Sequence, residues 1–474
     1  MKPAATEQPA ARKPGFAGRI HAFAHRLSRP ARASIAIAVF LVLLVIVVWV
    51  AFWFDPNNVP WRHSMSNRRI LTIVALVAVL PVIVYQAIRL WLEGDLPKYP
   101  DIDFAWNAGL AELDKQGLSI ESTPVFVVVG STGDRFEKAL MDASEVEYRV
   151  HGIPEGPAAL HWYADPRGIF LYLSTSCRLS ALSALQNQRE AEDPTLGPSS
   201  RQQALIDEPL FSSQESLEFG NRLEYVCELL RRSRQPAAPC NGILAVLSLS
   251  ALQLSDAGVD EWEKVIRADL NSLQRALQVR SPVIGLVIGM EKEPGFRELI
   301  RRVGSEHSGA RLRRFGKGFD LSALPTVEQL SAFGGHVASV FEDWTYLLFR
   351  QPGALTRPGN RHLYALLCRV RLSFQSSLTR LLAKGFGHRS SSSTIDDPIL
   401  FAGCYFAATG ETPDRQAFVK GVIDKLYDEQ ESLEWTSDAI SESRRYAWMA
   451  KIVWAINGVS AVTLCVLLLR RLMF

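Results

Sequence analysis

Ser34 to Phe54 is a run of 21 residues without a charge, closed by Trp49, Phe52 and Trp53. A bilayer span needs about 20 apolar residues, and aromatic side chains collect at its interface. Ile70 to Ile88 forms a second such run, between Arg68-Arg69 and Arg89, with Pro81 inside it and Trp91 at its edge. A third, Ile452 to Leu469, is softened by Asn457, Gly458 and Ser460 and closes with Arg470-Arg471. The mean hydropathy of +0.05 is concentrated in these segments. The first run starts too far in, and is too long, for a cleaved signal peptide.

The basic residues set the orientation. Residues 1–33 carry Lys2, Arg12, Lys13, Arg19, Arg26, Arg29 and Arg32 against the single acid Glu7, whereas the hairpin loop carries only Arg62, Arg68 and Arg69. The excess belongs on the cytoplasmic side. The expected organisation is a basic cytoplasmic leader (1–33), a transmembrane hairpin (34–91, spans 34–54 and 70–88) and a helical linker (92–120). An α/β domain (121–326), a helical extension (327–446) and a third transmembrane helix (452–469) follow. The expected location is the bacterial inner membrane, multi-pass, with the main domain cytoplasmic.

Within the α/β part, Pro124–Val129, Ile169–Leu173, Gly242–Leu249 and Pro282–Ile288 read as buried strands. Leu217–Arg232 and Asp260–Val279 read as amphipathic helices between them. Uniformly apolar strands alternating with helices indicate a parallel sheet. Gln186 to Gln214 reads as an exposed loop. From Val327 the strand signals fade: Leu330–Phe349, Leu363–Lys384 and Gln416–Glu442 read as helices, with Ser390 to Ser393 a hinge. A net charge of +3 and 21% charged residues give no polyanion-binding character, so no nucleic acid is expected. The six cysteines, Cys177, Cys227, Cys240, Cys368, Cys404 and Cys465, show no zinc or disulfide spacing.

The motif closest to chemistry follows the first strand: Gly130-Ser-Thr-Gly133-Asp-Arg-Phe-Glu137-Lys-Ala-Leu140. A phosphate-binding loop at a strand-to-helix turn reads G-x-x-x-x-G-K-[ST], its lysine reaching phosphate and its hydroxyl holding magnesium. Here Arg135 stands for the second glycine, Phe136 for the lysine and Glu137 for the hydroxyl. Asp134 and Glu137 place negative charge at the positive end of a helix, where a phosphate would sit. Residual nucleotide binding through Gly130, Gly133 and backbone amides competes with a purely structural turn, and the missing lysine favours the turn. A substitution at Gly130 compatible with the turn is expected to be tolerated.

The combination resembles the IcmF/TssM family, inner-membrane subunits of type VI secretion systems with a type IVB relative. The family's G-P-P-G-S-G-K-T-T-A-L loop aligns with Gly130 to Leu140 without a gap. Its L-I-D-T-A-G-R segment resembles Tyr172-Leu-Ser-Thr-Ser-Cys-Arg178, preceded by His161-Trp-Tyr163. P-L-N-G-V resembles Pro239-Cys-Asn-Gly-Ile243, and P-V-Y-V-L-V-T-K-C-D-L-L-P-G-F aligns with Pro282 to Phe296. P-L-L-x-R-G-x-Y-F-T-S-G resembles Pro398 to Gly410.

The resemblance implies a P-loop NTPase-like parallel sheet with a helical extension. It also implies loss of the nucleotide site, because Ser174 replaces the metal-side Asp, Cys177 the glycine, and Ile288-Gly289-Met-Glu291 the base-recognition T-K-x-D. No catalytic residue, metal or cofactor is then expected. The implied role is a non-catalytic scaffold, in a short form lacking the family's periplasmic region. Its implied partners are a DotU/TssL-like inner-membrane protein, secretion baseplate components, further copies of itself and the lipid bilayer. The alternative is a membrane-anchored atypical NTPase or GTPase-like switch using Arg135.

Other residues carry weaker signals. Cys177 lacks an activating context and reads as a small core residue. Ser174 and Thr175 lack a G-x-S-x-G elbow. His336 reads as a loop or helix-start residue, and Arg311, Arg313 and Arg314 as a solvated face or partner contact.

Overall fold

The computed structural model describes residues 98–451, except 132, 193–210, 255, 307–308, 389–396, 446 and 449–450, together with 38, 41, 79–83 and 85–86. The chain divides into two units, Met1–Lys98 with Ile452–Phe474, and Tyr99–Lys451. The expected spans 34–54, 70–88 and 452–469 lie outside the described residues apart from those few positions. Among the described residues no helix is long and apolar enough to cross a membrane.

The second unit is built on an eight-stranded sheet of order β2-β3-β4-β1-β5-β7-β9-β8. The strands are β1 (Val125–Val129), β2 (Val150–Ile153), β3 (His161–Asp165), β4 (Gly168–Tyr172), β5 (Gly242–Ser248), β7 (Pro282–Ile288), β8 (Gly316–Gly318) and β9 (Leu400–Phe406). β4, β1, β5, β7 and β9 pair in parallel, β3 joins β4 and β2 joins β3 antiparallel, and β8 closes the far edge antiparallel to β9. The fold is therefore mixed α/β with a mostly parallel sheet.

Alternate residues feed two cores. Val125, Val127 and Val129 join one with Trp162, Leu223 and Trp262, while Phe126 and Val128 join the other with Leu140, Met141 and Ile423. Burial on both faces is why these strands are uniformly apolar rather than alternating. The first face is covered by α1 (Pro100–Lys115), α3 (Arg178–Glu192), α4 (Ser213–Arg234), α5 (Asp256–Leu277), α6 (Pro294–Glu306) and α7 (Val327–Phe349). The second carries α2 (Asp134–Asp142) and α10 (Lys420–Asp428). α4 starts on a reciprocal cap between Ser212 and Glu215, which satisfies helix-start amides. α1 approaches the sheet at Gly109, where any Cβ would overlap the Trp162 indole.

Three sequence expectations are corrected. The segment 327–446 is not helical throughout, because β9 lies inside the sheet between β7 and β8. Its run Leu400–Phe406 contains Gly403 at a register shift, φ +138°, which breaks the apolar pattern of a central strand. Phe341 packs edge to face on Phe315 at 4.9 Å and on Phe406 at 4.8 Å and binds α7 to that edge. Second, Gln416–Glu442 is not one helix: α10 ends at Asp428, and β10 (Glu434–Trp435) pairs with β6 (Val279–Arg280). Third, His336 lies within α7 rather than at a helix start. Leu363–Lys384 does form one helical run, from α8 (Asn360–Arg369) through a π segment, α9 (Gln375–Arg380) and a second π segment ending at Phe386.

Candidate functional site

The degenerate loop, the turn after β4 and the turn after β7 all lie at the C-terminal edge of the parallel strands. The helix α2 touches Ala408–Thr409, which in turn touches the Met290–Lys292 turn. The positions singled out in the sequence are thus grouped by topology, and their side chains show what occupies the space.

Glu137 is fully buried on the first turn of α2. Its carboxylate accepts from the Ser131 hydroxyl and, at 2.6 Å, from the Ser174 hydroxyl. Its other oxygen lies 2.6 Å from His161 Nδ1. The opposite ring nitrogen, Nε2, lies 2.7 Å from the Gly156 carbonyl, which can only accept, so Nε2 carries a proton. Burial disfavours a charged ring here. The hydrogen bond and the charge of Glu137 outweigh it and raise the His161 pKa above its ordinary value. The shift favours the imidazolium form of His161 beside the Glu137 carboxylate.

A working loop supplies a hydroxyl from this helix and, in the resembled family, a metal-side Asp from the strand opposite. In this chain the carboxylate is on the helix and the hydroxyl follows the strand. The cation between them is His161, which β3 delivers because the Asp165–Gly168 turn sets the register His161↔Tyr172. Asp165 fixes that turn by accepting from the amides of Arg167 at 3.2 Å and Gly168 at 2.8 Å. The three side chains do not form a nucleophile triad. Nδ1 faces both Glu137 and Ser174, at 2.8 Å from the latter, and Nε2 is held by a carbonyl.

Gly130 adopts φ +90°, and its amide donates to Ser180 Oγ at 3.0 Å. A Cβ there would overlap the Val246 carbonyl oxygen, so the expected tolerance at Gly130 is overturned. Gly133, at φ +118°, precedes α2 in open space, its carbonyl accepting from the amides of Phe136 and Glu137. Phe136 packs against the second core, where a lysine would have reached toward phosphate. Arg135 is exposed.

After β4, the Cys177 thiol is buried and pushed up to about 12, chiefly by burial, which keeps it unreactive. Arg178 donates to Asp269 at 3.0 Å and to the Ser216 carbonyl at 2.8 Å, and Asp269 accepts from the Leu179 amide at 2.7 Å. This pair ties the start of α3 to α4 and α5. Burial raises the Asp269 carboxyl to about 6 against the pull of those donors. After β7, Ile288 is buried at the strand end and Gly289 takes a left-handed turn at φ +81°. Glu291 accepts from the Thr409 amide at 3.0 Å.

His161, Ser131, Arg178 and Asp269 were not flagged as site residues in the sequence. The Asp-Pro-Arg-Gly turn at Asp165 to Gly168 was the available signal for His161, since it fixes which residues of β3 face the end of β4. Among the described residues no group of His, Cys, Asp and Glu could hold a metal ion.

Residues 220–453 match the family model described as IcmF-related N-terminal domain. No curated protein and no solved structure matches the chain. The matched span contains Asp269, Ile288 to Glu291 and Thr409, while Gly130 to Cys177 precede it.

Proposed function

This chain belongs to the IcmF/TssM family, a secretion-associated family, and from that premise we propose that it is a non-catalytic scaffold of a type VI or related secretion complex. The segments 34–54, 70–88 and 452–469 anchor it in the inner membrane with residues 99–451 on the cytoplasmic side. That unit docks a DotU/TssL-like membrane protein and baseplate components, and copies of the chain associate in the assembly.

The observation that carries the non-catalytic reading is the buried Glu137–His161 pair. The strand order around β1, with a glycine turn feeding α2, supports an NTPase-like ancestry for the frame. The residues present do not fit a magnesium-bound nucleotide. Glu137 already accepts from Ser131 and Ser174 and lies at ion-pair distance from His161, so a polyphosphate would meet a second negative charge with no lysine to neutralise it. Glu291, at the base-side turn, is engaged by the Thr409 amide.

Thermal-shift titration of the detergent-purified chain with ATP and GTP, with and without magnesium, tests this. No shift is expected, and a saturable shift would overturn the reading. The rival, a nucleotide-dependent switch, would use Arg135 as its cation, and its shift would vanish in Arg135→Ala. Co-purification with a DotU/TssL-like protein tests the scaffold role separately.

A further inference from the structure

From Trp344 to Ile395 the chain contains no Asp or Glu, yet it holds eight Lys and Arg residues. Several are neutralised by acids from outside the stretch. Arg369 pairs with Glu293, Arg371 with Glu342 at 2.5 Å, and Arg380 with Asp256 and Asp260. Arg350 and Arg361 are exposed and make no ion pair among the described residues, and the Arg350 guanidinium lies 5.8 Å from the centre of the Tyr346 ring. In the same stretch Tyr346 is 65% exposed, Leu355 79%, Tyr364 68% and Leu372 84%.

Helical spacing sets Glu342, Tyr346 and Arg350 on one stripe of α7, and Tyr364, Cys368 and Arg371 on one stripe running from α8 into the π segment. Phe341, Leu348, Leu363 and Leu366 take the buried sides of the same helices. The Glu342–Arg371 ion pair holds the two outward stripes together. Tyr346 and Arg350 therefore share an outward surface with Tyr364, and the exposed Leu372 follows Arg371 directly at its margin.

We propose that this face is a membrane-contact surface that binds anionic lipid headgroups, with Arg350 and Arg361 on the phosphates and Tyr346, Tyr364 and Leu372 in the headgroup boundary. Glu342 on this face is engaged by Arg371, so the charge left without an ion pair among the described residues is of one sign, and that is the argument for lipid. An anionic leaflet presents a continuous negative surface, whereas a protein partner of mixed polarity would be matched by acids as well as bases. Arginine and tyrosine suit an interface that is apolar at one end and wet at the other. Each of these two arginines strengthens such binding by about fivefold. The inference rests on the membrane placement proposed above.

The test uses the full chain with Cys368→Ser, carrying a fluorophore at Leu372→Cys, in nanodiscs of phosphatidylcholine alone or mixed with phosphatidylglycerol. Headgroup-proximal doxyl lipid should quench the probe only in the anionic discs, and a probe at Ser213→Cys should stay unquenched in both. Arg350→Glu with Arg361→Glu should reduce the quenched fraction at least about tenfold, as should high salt. Equal or absent quenching in the two lipids would overturn the proposal. So would burial of the probe that appears only on adding a protein partner. A chain that does not enter discs would sink the membrane-anchor reading instead. The face is then read by flotation with phosphatidylglycerol vesicles, where co-flotation lost in the double variant supports it and no co-flotation overturns it.

Discussion

The Ser174 hydroxyl donates to the Glu137 carboxylate at 2.6 Å, so the hydroxyl and carboxylate of a metal-binding phosphate loop are both present with their positions exchanged. In the usual arrangement a divalent cation joins the two. In this chain the charge opposite Glu137 is the ring of His161, 2.6 Å away and 1% exposed. These contacts fasten α2, β3 and the end of β4 to one another.

Removing the carboxylate should therefore cost stability rather than activity. Glu137→Gln leaves a buried imidazolium without its counter-charge, and breaking a buried pair costs about 3–5 kcal/mol. Chemical denaturation in detergent measures this. A loss below about 1 kcal/mol, typical of exposed pairs, would contradict the burial argument.

The same pair gives a pH dependence with a definite sign. The folded-state pKa of His161 lies above 6.5, so the folded state binds the proton more tightly than the unfolded chain. Its contribution is complete below 6.5 and is lost as pH rises through the folded value. The stability difference between the natural chain and His161→Asn should shrink as pH is raised from about 6 to about 9. A difference that grows over that range would reverse the assignment.

Gly130 and Gly133 should separate on substitution. Both have positive φ, and alanine at such a position costs about 1–3 kcal/mol in strain. Gly133 opens into free space, so Gly133→Ala should cost no more than that. Gly130→Ala adds an overlap with the Val246 carbonyl and should exceed about 3 kcal/mol or fail to fold. Comparing expression and unfolding midpoints of the two variants decides it.

Arg178→Ala should leave the Asp269 carboxylate buried with only the Leu179 amide as donor among the contacts described above. The expected cost is about 3–5 kcal/mol, read by denaturation as before. Protease cleavage near the start of α3 should rise as well, because Arg178 also holds the Ser216 carbonyl.

Thiol labelling reports on the cores. Burial pushes both the Cys177 and Cys404 thiols up to about 12, so neither should alkylate in the folded chain at mildly alkaline pH. Both should react once denaturant is added, which peptide mass analysis reads directly. Modification of Cys177 in the folded state would show that the turn after β4 opens.

Residues in continuous patterns were legible in the sequence. Pro282–Ile288 was bounded as observed, and the segments around β1, β4 and β5 shifted by a residue or so, because strands buried on both faces must be apolar throughout. The alignment of Gly130 to Leu140 placed Glu137 on the first turn of a helix, as observed. β9 was missed because Gly403 interrupts its pattern and its place depends on pairing with β7, more than a hundred residues earlier. The short β8 and the β2–β3 hairpin depend on the same kind of distant pairing, which leaves little local signature.

By itself the sequence determined that there are long uncharged runs, that a strand turns through glycines into a helix, and that the lysine of a phosphate loop is absent. Each of these is a local pattern, set by residue type and spacing. What Glu137 does was decided only by the tertiary structure. In isolation its carboxylate reads as a charge that repels phosphate from a helix start. Folding brings Ser131 from its own loop, Ser174 from the end of β4 and His161 from β3 onto its two oxygens. A buried charge is tolerable only when its partners surround it, and partners drawn from separate elements are assembled by the fold rather than by spacing along the chain.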